Sequence, residues 1–127
     1  MDEQVMRLSL RRQEVTVILV DGQQERRWKL RELNGTERNQ YLDKMSSRFK
    51  IGKDGKAVGI KNFDGFQADL LRASLLDEKG EPVSAEVIEA LPSSTQQELF
   101  KRAQRLSGLD TEAQESKGED EDEEKNG

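Results

Sequence analysis

Residues 75–94 read LLDEKGEPVSAEVIEALPSS and crowd Asp77, Glu78 and Glu81 around Gly80. Carboxylates gathered at a glycine turn suit a hard cation, and paired carboxylates suit acid–base catalysis. A helix–loop–helix calcium site needs oxygen ligands at loop positions 1, 3, 5 and 12, with glycine at 6. Counted from Asp77, position 3 is Lys79, position 6 is Pro82 and position 12 is Ile88. Counted from Glu78, Gly80 falls at 3 and Val83 at 6. Neither frame fits. A helix stop, a proline-containing loop and a capped helix account for the stretch more simply. Asp64, Asp69, Asp77 and Glu81 are candidate acids or bases, and nothing in the spacing ranks them.

The other chemical inventory is thin. The chain has no histidine and no cysteine. Thiol nucleophiles, Cys/His zinc sites, disulfides and serine–histidine relays therefore have no residues to use. GKDGK at 52–56 has the composition of a phosphate loop, but not its G-x-x-x-x-G-K-[ST] spacing or its strand-to-helix setting. It reads as a loop tip. The expectation is a protein that is not an enzyme and holds no metal or cofactor.

Charge is the stronger signal. The net charge of −5 divides unevenly: residues 1–62 carry 14 Lys/Arg against 9 Asp/Glu, and residues 63–127 carry 7 against 17. Arg26, Arg27, Lys29 and Arg31 form a basic row. Glu119, Asp120, Glu121, Asp122, Glu123 and Glu124 form an acidic run near the C-terminus. Both are candidate partner-binding residues, for an acidic protein partner or for each other. Nucleic acid is not an expected partner, because aromatic residues are only 5% of the chain and its net charge is negative. No membrane association is expected either. The longest apolar-rich run, VTVILV at 15–20, is far too short to span a bilayer, and the first ten residues lack the apolar core of a secretion signal.

The elements that must carry these charges follow from periodicity. EVTVILVD at 14–21 is β-branched and apolar, DGQQ at 21–24 supplies a turn, and ERRWKLRE at 25–32 alternates. A β-hairpin is predicted, with Trp28 and Leu30 on the core side and Arg27, Lys29 and Arg31 on the other. A first helix should start near Asn34–Thr36, carry Tyr41, Leu42, Met45 and Phe49 on one stripe, and stop at Gly52. A loop or weak second hairpin follows. Asn62 should cap a second helix bearing Phe63, Phe66, Leu70 and Leu71, with Gly80 ending it. Ser84 should start a short helix with Val87, Ile88 and Leu91 inward, and Pro92 should stop it. Ser93/Gln96, Ser94/Gln97 and Thr95/Glu98 are overlapping capping boxes for a last helix with Leu99, Phe100, Ala103 and Leu106.

These elements predict an α+β domain, mostly α-helical, in which an N-terminal β-hairpin packs on about four helices. Residues 1–12 are an N-terminal segment, partly ordered. Residues 13–109 are a single globular domain. Residues 110–127 have Ala113 as their one hydrophobe and are expected to be a disordered acidic tail.

The order of features resembles the tail assembly chaperones of long-tailed bacteriophages over roughly residues 13–110. The resemblance rests on WKLRELNGTERNQYL, on ADLLRASLLDEKGEPVSAEVIEALP, and on LFKRAQRLSGLDTE before a charged tail. It implies a non-catalytic protein of virion morphogenesis that binds the helical tape measure protein, keeps it soluble and helps recruit tail tube protein. It also implies residence in the host cytoplasm and absence from the mature virion, and it leaves self-association open. No family binding residue maps onto a numbered position. The alternative is a small acidic regulatory adaptor, or a DNA mimic, acting through tail charge.

Overall fold

The computed structural model describes residues 4–60 and 65–109. The acidic run 119–124, the tail, Asn62, Phe63 and Asp64 lie outside the described residues.

β1 (Glu14–Asp21) and β2 (Gln24–Arg31) pair antiparallel in unbroken register, from Glu14 opposite Arg31 to Asp21 opposite Gln24. Only two residues join them. Gly22 sits at φ 63°, and no non-glycine residue described has positive φ, which matches the φ signs of a type II′ turn. The period of two turns Trp28 and Leu30 inward, where both are buried, as predicted.

α1 (Gly35–Ser46) starts on a full capping box: Asn34 accepts from the Glu37 backbone, and the Glu37 carboxylate accepts from the Asn34 backbone. The helix stops earlier than predicted. Ser46 and Ser47 hydroxyls donate to the carbonyls of Asp43 and Lys44, an alternative use of the last turn's acceptors. Phe49 therefore leaves the helical stripe. It opens β3 (Phe49–Ile51), which pairs with β4 (Ala57–Ile60) as a second hairpin.

α2 (Phe66–Ser74) carries the predicted Leu70 and Leu71 into the core, but its N-terminal cap is Gly65, at φ 75°, and not Asn62. It does not run on to Gly80. Leu75 and Leu76 form β5, which pairs antiparallel with Lys29 and Leu30 of β2 and completes a sheet of order β1-β2-β5. An apolar pair can serve either a helix or a buried strand. Here the free side of β2 supplies backbone partners that a longer helix would leave unmet. The Ser74 hydroxyl donates to the Arg31 carbonyl at 2.8 Å and seals the junction.

α3 (Ala85–Glu89) is capped by Ser84, as predicted. Ile88 is buried and Leu91 packs on the core, but Val87 is exposed, because one short helical turn can turn only one side inward. α4 (Ser93–Leu106) begins where predicted, without the capping boxes. Pro92 occupies the cap position, the Gln96 amide donates instead to the Ile88 carbonyl at 2.9 Å, and the Gln97 amide donates to Ser93 Oγ. Leu99, Phe100 and Ala103 face α2 and β2, and Leu109 closes the end beyond Gly108.

The architecture is α+β: a three-stranded antiparallel sheet with its inner face on α2 and α4, α1 and α3 packed against α2, and a separate small hairpin. Among the described residues no helix is long and apolar enough to cross a membrane.

Candidate functional site

Of the candidate acids and bases, the Asp69 and Asp77 carboxylates are committed to structure, and Asp64 lies outside the described residues. Asp77 Oδ1 accepts from the backbones of Lys79 and Glu81 at 2.9 and 3.0 Å, and the Asp77 backbone N–H donates to the Glu81 carbonyl. Gly80, at φ 80°, lets this turn close. Glu78 reaches back to the sheet and accepts from Trp28 Nε1 at 2.6 Å. The acidic–glycine stretch is therefore a pinned turn, and no three carboxylates converge on a cation position among the described residues. GKDGK is the tip of the second hairpin, its backbone used in Gly52–Lys56 and Gly52–Gly55 bonds.

Asp69 is held by Arg48, whose Nε and Nη2 both donate to Oδ2, at 3.0 and 2.7 Å. This pair lies beside Tyr41. Burial, then the Asp69 charge, pushes the Tyr41 phenol up to about 12, with Arg48 opposing. A raised acid pKa means that the folded state keeps its proton where the unfolded chain loses it. Stability should therefore be full below pH 10 and fall by up to about 2 kcal/mol between pH 10 and 12. Urea midpoints at pH 8 and 11 should show that loss in the native chain and little of it in Tyr41→Phe.

The predicted basic row does not form one face. Arg27 and Lys29 are exposed on the outer side of the sheet, opposite Ile18 and Thr16. Lys29 Nζ stands 3.7 Å from Glu14. Arg26 shares the side of Trp28, since strand side chains alternate, and it stays exposed near the hairpin tip. Arg31 is half-buried at the base of the sheet, and its Nε is buried without a hydrogen-bond partner among the described residues.

What the row omits is its apolar half. Ile18 and Val20 lie on the same outer face as Arg27 and Lys29 and are 46% and 67% exposed. A surface of apolar residues rimmed by cations results, with none of the described elements covering it. The residues of VTVILV that alternate away from Val17 and Leu19 were the available signal. Apolarity across the whole run masked it, because such a run also reads as a strand buried on both faces.

A second feature adjoins this face. A groove of about 550 Å³ runs between β1 and α4, lined by Val15, Val17, Leu19, Leu99, Glu98 and Arg102 among others. Compared with protein-family models, curated proteins and solved structures, the chain matches none, so the outer sheet face and the groove beside it are the surfaces on which a functional reading rests.

Proposed function

We propose that this chain is a non-catalytic tail assembly chaperone that binds a long helical tape measure protein, keeps it soluble in the host cytoplasm and helps bring tail tube protein to it. It leaves before the virion is complete. The observation that carries the reading is the outer sheet face, where Ile18 and Val20 stand exposed beside Arg27 and Lys29. Such a surface suits one stripe of an amphipathic helix, with apolar residues on the β-branched pair and flanking carboxylates on the cations. A soluble chain with a net charge of −5 would keep the bound helices from clumping.

The test is co-expression with a tape measure protein. That protein should be soluble with the native chain and aggregate without it. Ile18→Thr combined with Val20→Thr keeps strand propensity while removing the apolar contact, and should weaken binding about tenfold or more. Arg27→Glu should weaken it further at low salt than at high salt. A tape measure protein equally soluble without this chain would overturn the reading. Removing residues 110–127 separates the charge-driven alternative: a chaperone holding its client on the sheet loses little, whereas a DNA mimic or acidic adaptor loses its binding.

A further inference from the structure

We infer that residues 5–11 of a second copy of this chain add to the free edge of β1 as an antiparallel strand. This goes beyond the chaperone reading and does not depend on it.

The edge is open. Gln13 accepts from the Glu32 backbone, and Asp21 and Gln24 flank the turn, so the odd-numbered residues of β1 exchange hydrogen bonds with β2. The N–H and C=O groups of Glu14, Thr16, Ile18 and Val20 then point away from β2, where no described strand pairs with them. Native proteins protect such edges with prolines, inward charges or short strands. This one is eight residues long, apolar and without proline. Below it lies the groove against α4.

The same chain carries a segment of matching pattern. Met6, Leu8 and Leu10 alternate with Arg7, Ser9 and Arg11 at the strand period. The three apolar side chains are 80%, 81% and 105% exposed. Seven residues cover about 23 Å of edge, which is the span from Glu14 to Val20. With Arg11 set opposite Glu14, Ser9 meets Thr16 and Val5 meets Val20 on the outer face. On the inner face Leu10, Leu8 and Met6 then lie opposite Val15, Val17 and Leu19 and fill the groove. Charge, hydroxyl and apolar pairs match at six of these seven positions; the seventh sets Arg7 opposite Ile18 on the outer face, where its charged end reaches water.

The segment cannot do this within its own chain. The same register would need a two-residue turn at Arg12–Gln13, with positive φ at Arg12, where hairpins use glycine or asparagine. Both residues are committed elsewhere. Arg12 pairs with Glu37 in α1 at 3.1 Å, and the Gln13 backbone N–H donates to Glu32 Oε1 at 2.9 Å. A second copy meets neither obstacle.

Light scattering on the full chain should show a mass of two or more chains as concentration rises. Leu8→Asp should return it to a single chain. Thr16→Pro should do the same by removing one outward N–H, with circular dichroism unchanged. Because the chain has no cysteine, mixing Leu8→Cys with Val17→Cys protein gives a direct reading: mild oxidation should join the two variants at least tenfold more than Leu8→Cys mixed with Lys53→Cys. Three outcomes would each overturn the inference. One is a single-chain mass at every attainable concentration. Another is undiminished association after removal of residues 1–11. The third is a link that forms only within one chain carrying both cysteines. Should Thr16→Pro fail to fold, Leu8→Asp, outside the core, still decides the matter.

Discussion

Trp28→Ala should destabilise the domain by about 3–5 kcal/mol, a large share of the stability of about 5–10 kcal/mol usual at this size. Trp28 is buried in the middle of β2, and its ring packs in the cluster with Leu30, Leu71 and Leu99. Truncation leaves a void between the sheet and the helices that β2, paired on both sides, cannot collapse to fill. It also takes the indole N–H from Glu78, the residue that ties the pinned turn to the sheet. Trp28→Phe separates the two contributions. It keeps most of the apolar ring and loses the bond to a carboxylate, so it should cost about 1.5–3 kcal/mol. Urea unfolding followed by circular dichroism gives both values. Equal losses in the two variants would mean that the hydrogen bond, not burial, dominates at this position.

That position is legible in the sequence. Alternation through ERRWKLRE places Trp28 and Leu30 together, and the two-residue loop at Gly22 sets the register that keeps them there. Local signals also located Asn34, Ser84 and Pro92, because caps and stops act within a few residues. Leu75 and Leu76 were not legible. Their strand partner is Lys29–Leu30, some forty-five residues away, and no local preference reports a pairing at that distance. The capping boxes at 93–98 failed for the same reason, since Gln96 is drawn to the Ile88 carbonyl across the α3–α4 junction.

The candidate surface divides along the same line. Arg27, Lys29 and Arg31 on one face followed from period two, whereas Arg26 was grouped with them by charge alone. The structure separates them by side and by depth. Turning Ile18 and Val20 outward is a property of β1 as an edge strand with only its inner face packed, and the run VTVILV does not display it. Edge position leaves the backbone of β1 open, and packing of the sheet on one side only leaves Ile18 and Val20 exposed; both are facts of topology.

The second large effect is expected at the Arg48–Asp69 pair. Both side chains are mostly out of solvent, at 14% and 11% exposure, and the contact joins the end of α1 to the first turn of α2. Asp69→Ala should cost about 2–3 kcal/mol, because it takes a carboxylate partner from a guanidinium in a site with little water and removes a negative charge from a helix N-terminus. Arg48→Met should cost less, since its apolar chain can occupy the same space. The double variant should be more stable than Asp69→Ala alone, which is the signature of a penalty for removing one member of a mostly buried ion pair. Tyr41 supplies an independent reading. Asp69 raises its pKa and Arg48 lowers it, so Asp69→Ala should move the phenol down and Arg48→Met should move it up. Ultraviolet titration of the single tyrosine measures both shifts. Opposite movements with unequal stability losses would establish that one buried ion pair governs both the α1–α2 junction and the alkaline limit of the fold. Movements of the same sign would mean that the helices repack around Tyr41 when either partner is lost.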